Sequence, residues 1–133
     1  MLKLEVVTPE RKVVDTEVDS VSVPTASGEA GILPNHAPLI SALKPGILSY
    51  SAKGSSEKLA ISGGFVEVNG SNVSVLATTA ATAADINIDE AKAERDAAEK
   101  ALSSVATSAV EETESYREAL DAANARVQIA SSR

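Results

Sequence analysis

The chain has 133 residues, a formal net charge of −7 and no cysteine. Its acidity, with one Phe, two Tyr and no Trp, argues against nucleic-acid binding, which needs cations and stacking surfaces. Without cysteine, neither a disulfide framework nor a thiolate metal site can form. These counts favour a small protein whose core is built from aliphatic residues and which has little chemistry of its own.

Residues 1 to about 80 alternate between apolar and polar side chains. Leu2, Leu4 and Val6 alternate with Lys3 and Glu5, and the same pattern recurs near residues 21–23, 66–68 and 73–75. Alternation with period two places one strand face on a core and the other in water. Turn signals separate the runs at residues 8–10, 26–28, 44–46, 53–55, 63–64 and 69–70. The pattern predicts an all-β N-terminal sandwich of short antiparallel strands over residues 1–84.

A helical period begins after Asp85. Asn87 and Glu90 have the spacing of a capping box at the start of the stretch IDEAKAERDAAEKAL. Apolar residues then recur on one face, namely Ala91, Ala98, Leu102 and Val105. Ser108 and Glu111 have the same box spacing before a second stripe formed by Tyr116, Leu120, Ala123, Val127 and Ala130. Residues 85–133 therefore predict a C-terminal α-helical hairpin.

Three further features of residues 85–133 concern how the helices are joined, how firmly they are attached and what charge they carry. No Gly or Pro interrupts residues 103–108, so one continuous helix stays open as an alternative. Four of the nine stripe residues are alanine, which buries little area at about 0.8 kcal/mol per methylene. We therefore predict a hairpin that is marginally attached to the sandwich and can open. Residues 85–133 also carry eleven acids against six bases, most simply a solvated acidic face.

The chain offers few residues for catalysis or metal binding. Its single histidine, His36, lies in the stretch GILPNHAPL, and the nucleophile-elbow pattern that a serine triad would require is absent. The stretch Asp85–Asp89 starts like a calcium loop but lacks the glycine and the final glutamate that such a loop needs. One His without Cys argues against a zinc site. By exclusion, we expect no catalytic residue and no metal site, and a protein that acts through its surface.

Three stretches carry a resemblance to a known family. Residues 24–39 read PTASGEAGILPNHAPL, residues 43–48 read LKPGIL, and residues 62–68 read SGGFVEV. The chain thereby resembles the epsilon subunit of rotary F-type ATP synthases, called delta in mitochondria. The resemblance implies a non-catalytic rotor subunit of the central stalk of a proton-translocating complex, which links the gamma subunit to the ring of c subunits. The alternative from the residues alone is a free-standing β-sandwich binding module.

The resemblance also assigns residues to the contact with the ring. The ring-facing loop corresponds to Glu29, Ala30, Gly31 and His36. His36 would then be a contact residue. The residues alone leave a second reading, in which the histidine braces its own turn between two prolines.

In some relatives the helices bind ATP through an Ile/Leu-Asp-x-x-Arg-Ala motif. Ile88, Asp89, Lys92 and Ala93 are similar to it, and Arg126 is the basic residue left in the corresponding part of the second helix. Lysine in place of the motif's arginine removes the bidentate fork that suits phosphate. The sequence therefore argues against ATP as a regulatory ligand, and we expect no cofactor.

The same family comparison bears on regulation and location. Helices of bacterial and chloroplast relatives can extend along gamma and meet the catalytic beta subunits through basic residues. Residues 109–130 here hold five acids against two bases, so we expect weak or absent inhibition of hydrolysis. A start without an Arg-rich presequence favours the cytoplasmic side of a cell inner membrane, contacted only through the complex. An organelle inner membrane or a thylakoid membrane is the alternative.

Overall fold

The computed structural model describes residues 2–34, 37–104 and 110–131. Within this range the chain forms ten β-strands, one 3-10 helix and two α-helices. The strands are β1 (Leu2–Val7), β2 (Lys12–Val18), β3 (Ser20–Thr25), β4 (Gly28–Ile32), β5 (Leu39–Ala42), β6 (Gly46–Ala52), β7 (Ser55–Ser62), β8 (Phe65–Asn69), β9 (Asn72–Leu76) and β10 (Thr79–Ala81). The helices are the 3-10 helix Ala83–Asp85, α1 (Ile88–Ser104) and α2 (Val110–Ser131).

The strands form two five-stranded sheets that pack face to face. The first sheet has the order β2-β1-β9-β8-β5, and the second has the order β10-β7-β6-β3-β4. The predicted sandwich followed by two helices is confirmed. The prediction of purely antiparallel strands is wrong for one pair, because β1 runs parallel to β9. Alternation reports which face of a strand is buried, but it carries no information about the direction of the neighbouring strand.

A core of aliphatic side chains fills the space between the sheets. The period-two positions point inward, so each strand contributes every second residue. Partly buried Tyr50 packs against this core, and burial, followed by the nearby Glu57 carboxylate, raises the pKa of its phenol. The buried residues are Leu2, Leu4, Val6, Val14, Val18, Val21, Val23, Ile32, Leu43, Leu48, Leu59, Ile61, Val66, Val68, Val73, Val75 and Ala77.

The predicted turns fall between strands, and two of them show why their residues are needed. Between β3 and β4, the Thr25 hydroxyl donates to the carbonyl of Gly28, whose φ is +119°. Between β7 and β8, Gly64 has φ +95°, and a Cβ there would overlap the carbonyl oxygen of Leu76. Only glycine allows both this backbone conformation and this close approach of two chain segments.

The two helices form an antiparallel pair in contact with each other, as the hairpin prediction required. The Asn87 side chain caps α1, since its Oδ1 accepts from the backbone N–H groups of Asp89 at 3.0 Å and Glu90 at 3.1 Å. This part of the predicted capping box is confirmed. The second box, at Ser108 and Glu111, lies outside the residues whose side chains the structure describes. The conformation seen is not the continuous-helix alternative.

The hairpin lies against the outer face of the second sheet, where α2 contacts β6 and β7. A second, smaller cluster forms there, separate from the sandwich core. The predicted stripe included Ala91 and Ala130, which are buried, but also Tyr116, which is 38 % exposed. It missed Ala125 and Ile129, because α2 packs against both α1 and the sheet and so buries a wider face than one stripe. The buried members are Ala60, Ala81, Ile86, Ala91, Ala125, Ile129 and Ala130.

Candidate docking surfaces

The outer face of the first sheet carries a row of apolar side chains, which are exposed on β5, β8 and β9 and half-buried on β1. Strand register aligns Ala42 with Phe65, Phe65 with Leu76, and Leu76 with Val7, so the row crosses β5, β8, β9 and β1. Phe65 is 57 % exposed and Leu76 is 58 % exposed. Ile40, 73 % exposed, lies two residues from Ala42 on the same face of β5. Exposed large apolar side chains that form a continuous patch mark an interaction surface.

A second row runs beside the apolar row and is largely polar. The register places Ile40, Glu67, Ser74 and Glu5 side by side across the same four strands. Glu5 pairs with Lys3 at 3.7 Å. Across the described ranges no cation lies within ion-pair distance of Glu67. This face therefore combines an apolar row with a neighbouring carboxylate, Glu67, that makes no ion pair within the described residues.

Sequence reasoning did not identify this apolar row. Its members occupy outward positions of strands whose inward positions are also apolar, as in Phe65-Val66 and Val75-Leu76. In a half-exposed strand, two apolar neighbours break the expected alternation. Phe65 and Leu76 at outward positions were the signal in the sequence, but the register that aligns them with Val7 could not be read from it.

The outer face of the second sheet differs from that of the first. Here α2 covers Ala60 and Ala81, and Ile47 packs against the same cluster. Many of the other outward positions are serines, including Ser20, Ser22, Ser49, Ser51 and Ser56. The sandwich thus has one face covered by its own hairpin and one face with uncovered apolar side chains.

Three of the residues predicted to face the ring lie in an edge strand. Glu29, Ala30 and Gly31 belong to β4, so their assignment to a loop is corrected. The turn at Thr25–Gly28 folds this stretch back along β3 and pairs it there. Glu29 is exposed and accepts a hydrogen bond from the Ser22 hydroxyl. His36, the fourth predicted contact residue, lies outside the described residues.

Glu29 also lines an open cleft between the second sheet and α2. The cleft has a volume of about 450 Å³, and Lys58 and Ser49 contribute polar groups from the sheet. Asp121 and Asn124 contribute polar groups from α2. The edge strand with the predicted ring contacts is therefore close to the second helix of the hairpin.

The predicted nucleotide residues divide between the two helices. Ile88 is half-buried against the second cluster, while Asp89, Lys92 and Ala93 are exposed on α1. The Nε of Arg126 on α2 lies 3.5 Å from Oε2 of Glu94 on α1 but does not hydrogen-bond to it, so the contact is an ion pair. The cation that the nucleotide motif would require for a phosphate is thus beside a carboxylate of its own chain.

A polar network holds the connection between the sandwich and the hairpin. Oδ2 of Asp85 accepts from the Thr82 N–H, the Thr82 hydroxyl and Nη2 of Arg11, each at 3.0 Å. The Thr82 N–H is the main cause that lowers the pKa of Asp85; burial opposes it, and the Thr82 hydroxyl and Arg11 lower the pKa further. Arg11 lies in the turn between β1 and β2, so the network ties the first hairpin of the sheet to the start of the helices.

Neither a metal centre nor a membrane-spanning helix is present in the part of the chain that the structure describes. No group of three or more His, Asp or Glu side chains there could hold a metal ion. No described helix combines the length and the apolar character needed to cross a bilayer.

Comparison with known proteins identifies the family. The model for the beta-sandwich domain of the ATP synthase delta/epsilon chain matches residues 1–83. The chain belongs to this family. It is 53 % identical over 91 residues to an ATP synthase epsilon chain of Carboxydothermus hydrogenoformans, covering 68 % of each chain. An epsilon chain of Geotalea uraniireducens is 40 % identical over 132 residues, 97 % of this chain and 93 % of the relative.

Two solved structures of ATP synthases contain chains with a fold similar to that of this protein. A chain of the Euglena gracilis mitochondrial ATP synthase, determined with its F1 part and c-ring, superimposes with a TM-score of 0.78. It is 22 % identical, and the match covers 99 % of this chain and 81 % of that chain. A chain from the central stalk and c-ring of Tetrahymena thermophila mitochondrial ATP synthase gives a TM-score of 0.55 at 16 % identity, covering 70 % and 71 %. At these identities the likeness concerns the fold.

Proposed function

We propose that this chain is a rotor subunit of the central stalk of an F-type ATP synthase, where it connects the gamma subunit to the ring of c subunits. The observation that carries the proposal is the uncovered apolar row on the first sheet of a chain from the ATP synthase delta/epsilon family. The row is centred on Phe65 and Leu76, each more than half exposed. A protein that worked alone would gain nothing from leaving these side chains in water.

The first sheet is the face that binds gamma. Its apolar row lies on the opposite side of the sandwich from the hairpin, so nothing in the described chain blocks it. A stable contact of this kind buries on the order of 1,000 Å² or more, and large apolar side chains near its centre dominate the affinity. Phe65 and Leu76 are in that position.

The edge strand β4 supplies the contact with the ring. Glu29, Ala30 and Gly31 lie on this strand, away from the centre of the apolar row. One small body therefore offers different parts of its surface to gamma and to the ring. The subunit transmits torque through these contacts and makes or breaks no bonds itself. It is held peripherally at the cytoplasmic side of the cell inner membrane, through the complex.

The hairpin contributes little inhibition and needs no ATP to stay folded. Its helices are acidic, which opposes docking beside acidic segments of the catalytic beta subunits. Glu94 already lies beside Arg126 and partly neutralises the cation that would meet a phosphate. Removal of residues 85–133 should leave ATP hydrolysis by the reconstituted complex nearly unchanged, and a large rise in the rate would contradict this part of the proposal.

Binding to purified gamma tests the main proposal. The wild-type chain should form a stable complex with gamma from the same organism, and Phe65→Ala should weaken it by about 10- to 100-fold, as expected for loss of a buried aromatic contact. Tyr116→Ala is a matched control, since Tyr116 is an exposed aromatic on α2. Equal losses from both variants, or a wild-type chain that binds neither gamma nor the ring, would refute the rotor assignment and favour a free-standing binding module.

A further inference from the structure

The apolar row on the first sheet has a direction, and that direction restricts what can bind to it. Ala42, Phe65, Leu76 and Val7 follow one another at right angles to the strands. Neighbouring strands are about 4.8 Å apart, so four strands give a row about 14 Å long. The partner must therefore present apolar side chains in a line that crosses the strands.

The spacing along the row fits a helix better than a strand. One turn of an α-helix advances about 5.4 Å, close to the step of about 4.8 Å between strands. Side chains on one face of a strand repeat at about 6.7 Å and would lose alignment with the row after one or two residues. A helix of about ten residues, with apolar side chains at positions i, i+3 or i+4, and i+7, spans the whole row.

The neighbouring row adds a charge requirement. Glu67 is directly flanked by Ile40 and Ser74 and makes no ion pair within the described part of the chain; Lys3 lines the same cleft but lies within ion-pair distance of Glu5 instead. Glu5, at the far end of the same row, already has Lys3. An interface that covered Glu67 without a base would bury an unpaired carboxylate, at a substantial cost in affinity. The binding helix thus needs a Lys or Arg next to its apolar stripe.

We infer that the first sheet receives a single amphipathic helix that crosses its strands, with an apolar stripe on the row Ala42–Phe65–Leu76–Val7 and a basic residue opposite Glu67. This inference rests on the proposed function, since the helix belongs to gamma or to its equivalent in the rotor. To the proposed function, the inference adds three properties of the bound element: it is a helix, it crosses the strands, and it carries a basic residue.

Photo-crosslinking maps the direction of the bound element. A photoreactive phenylalanine analogue is placed singly at position 65 and at position 76, and the attached gamma residues are located by mass spectrometry. The two attachment sites should lie three or four residues apart in one helix of gamma. Attachment sites two residues apart, or on separate segments, would overturn the inference while leaving the rotor assignment intact. If the wild-type chain fails to bind gamma at all, the proposed function itself fails.

Charge reversal tests the basic residue. Glu67→Lys should weaken binding to gamma by at least about tenfold, mainly through a faster dissociation rate, because the introduced lysine would lie against the basic residue of the bound helix. Glu99→Lys makes the same change in net charge on α1, away from the first sheet, and should have little effect. Equal effects from the two variants would indicate only a long-range influence of net charge and would overturn the assignment to Glu67.

Discussion

Replacement of Ile129 by alanine should release the hairpin while the sandwich stays folded. Ile129 is 2 % exposed and lies in the small cluster between the hairpin and the second sheet. Most members of that cluster are alanines, so Ile86 and Ile129 provide much of the apolar area. The sandwich core has its own set of buried residues and does not include Ile129.

The magnitude follows from the volume lost. Ile→Ala at a buried site typically costs about 2–4 kcal/mol, from the lost transfer free energy and the cavity that remains. The ion pair between Glu94 and Arg126 is half-exposed, is worth about 1 kcal/mol at most and is the same in both proteins, so it does not change this difference. Opening of the hairpin should become roughly 30- to 700-fold more frequent.

Hydrogen exchange measured by mass spectrometry provides the assay. Peptides from α2 should exchange faster in the variant by that factor, while peptides from β6 and β8 should keep their protection. Ile40→Ala makes the same chemical change at a side chain that is 73 % exposed, on the other face of the sandwich, and should leave α2 unchanged. Unchanged protection of α2 in Ile129→Ala, or equal loss of protection in the sandwich, would refute the reasoning.

Three further substitutions test other parts of the structure. Gly64→Ala should lower the free energy of unfolding in urea by at least about 2 kcal/mol more than Gly70→Ala, because both have positive φ but only Gly64 lies against the backbone of another strand. Similar losses would show that this backbone contact is unimportant. For Asp85→Asn, the lowered pKa of Asp85 means that the wild-type advantage is complete above pH 3.8 and disappears as the pH falls through the lowered value. Thermal unfolding of both proteins as a function of pH measures this difference in stability. A wild-type advantage that persists in strong acid would contradict this cause. Glu94→Gln should speed exchange in the hairpin by up to about fivefold, whereas millimolar ATP should leave the wild type unchanged. ATP-dependent protection would instead show that the helices bind nucleotide.

The fold could be predicted from the sequence wherever a local pattern determines the outcome. Period-two alternation located the strands, and Asn87 marked the start of α1 because its side chain caps nearby N–H groups. Direction and register depend on contacts between distant segments. The parallel pairing of β1 with β9 and the alignment of Phe65 with Leu76 therefore appeared only in the structure.

The candidate sites were predictable only in part. Glu29 was singled out by family resemblance, yet its place on an edge strand beside α2 depends on the turn at Gly28 and on the docked hairpin. Arg126 was named as the basic residue that could meet a phosphate, in a motif that argued against ATP binding, but residue spacing could not show that Glu94 on the other helix lies 3.5 Å from it. Long-range pairing of this kind is a property of the packed state.

Placing the hairpin and the uncovered apolar row on opposite sides of one small sandwich separates the two surfaces physically. The hairpin packs on β6 and β7 of the second sheet, whereas the row lies on the first sheet. Substitution or removal of residues 85–133 would therefore leave the side chains of the row, and the contact they make, unchanged.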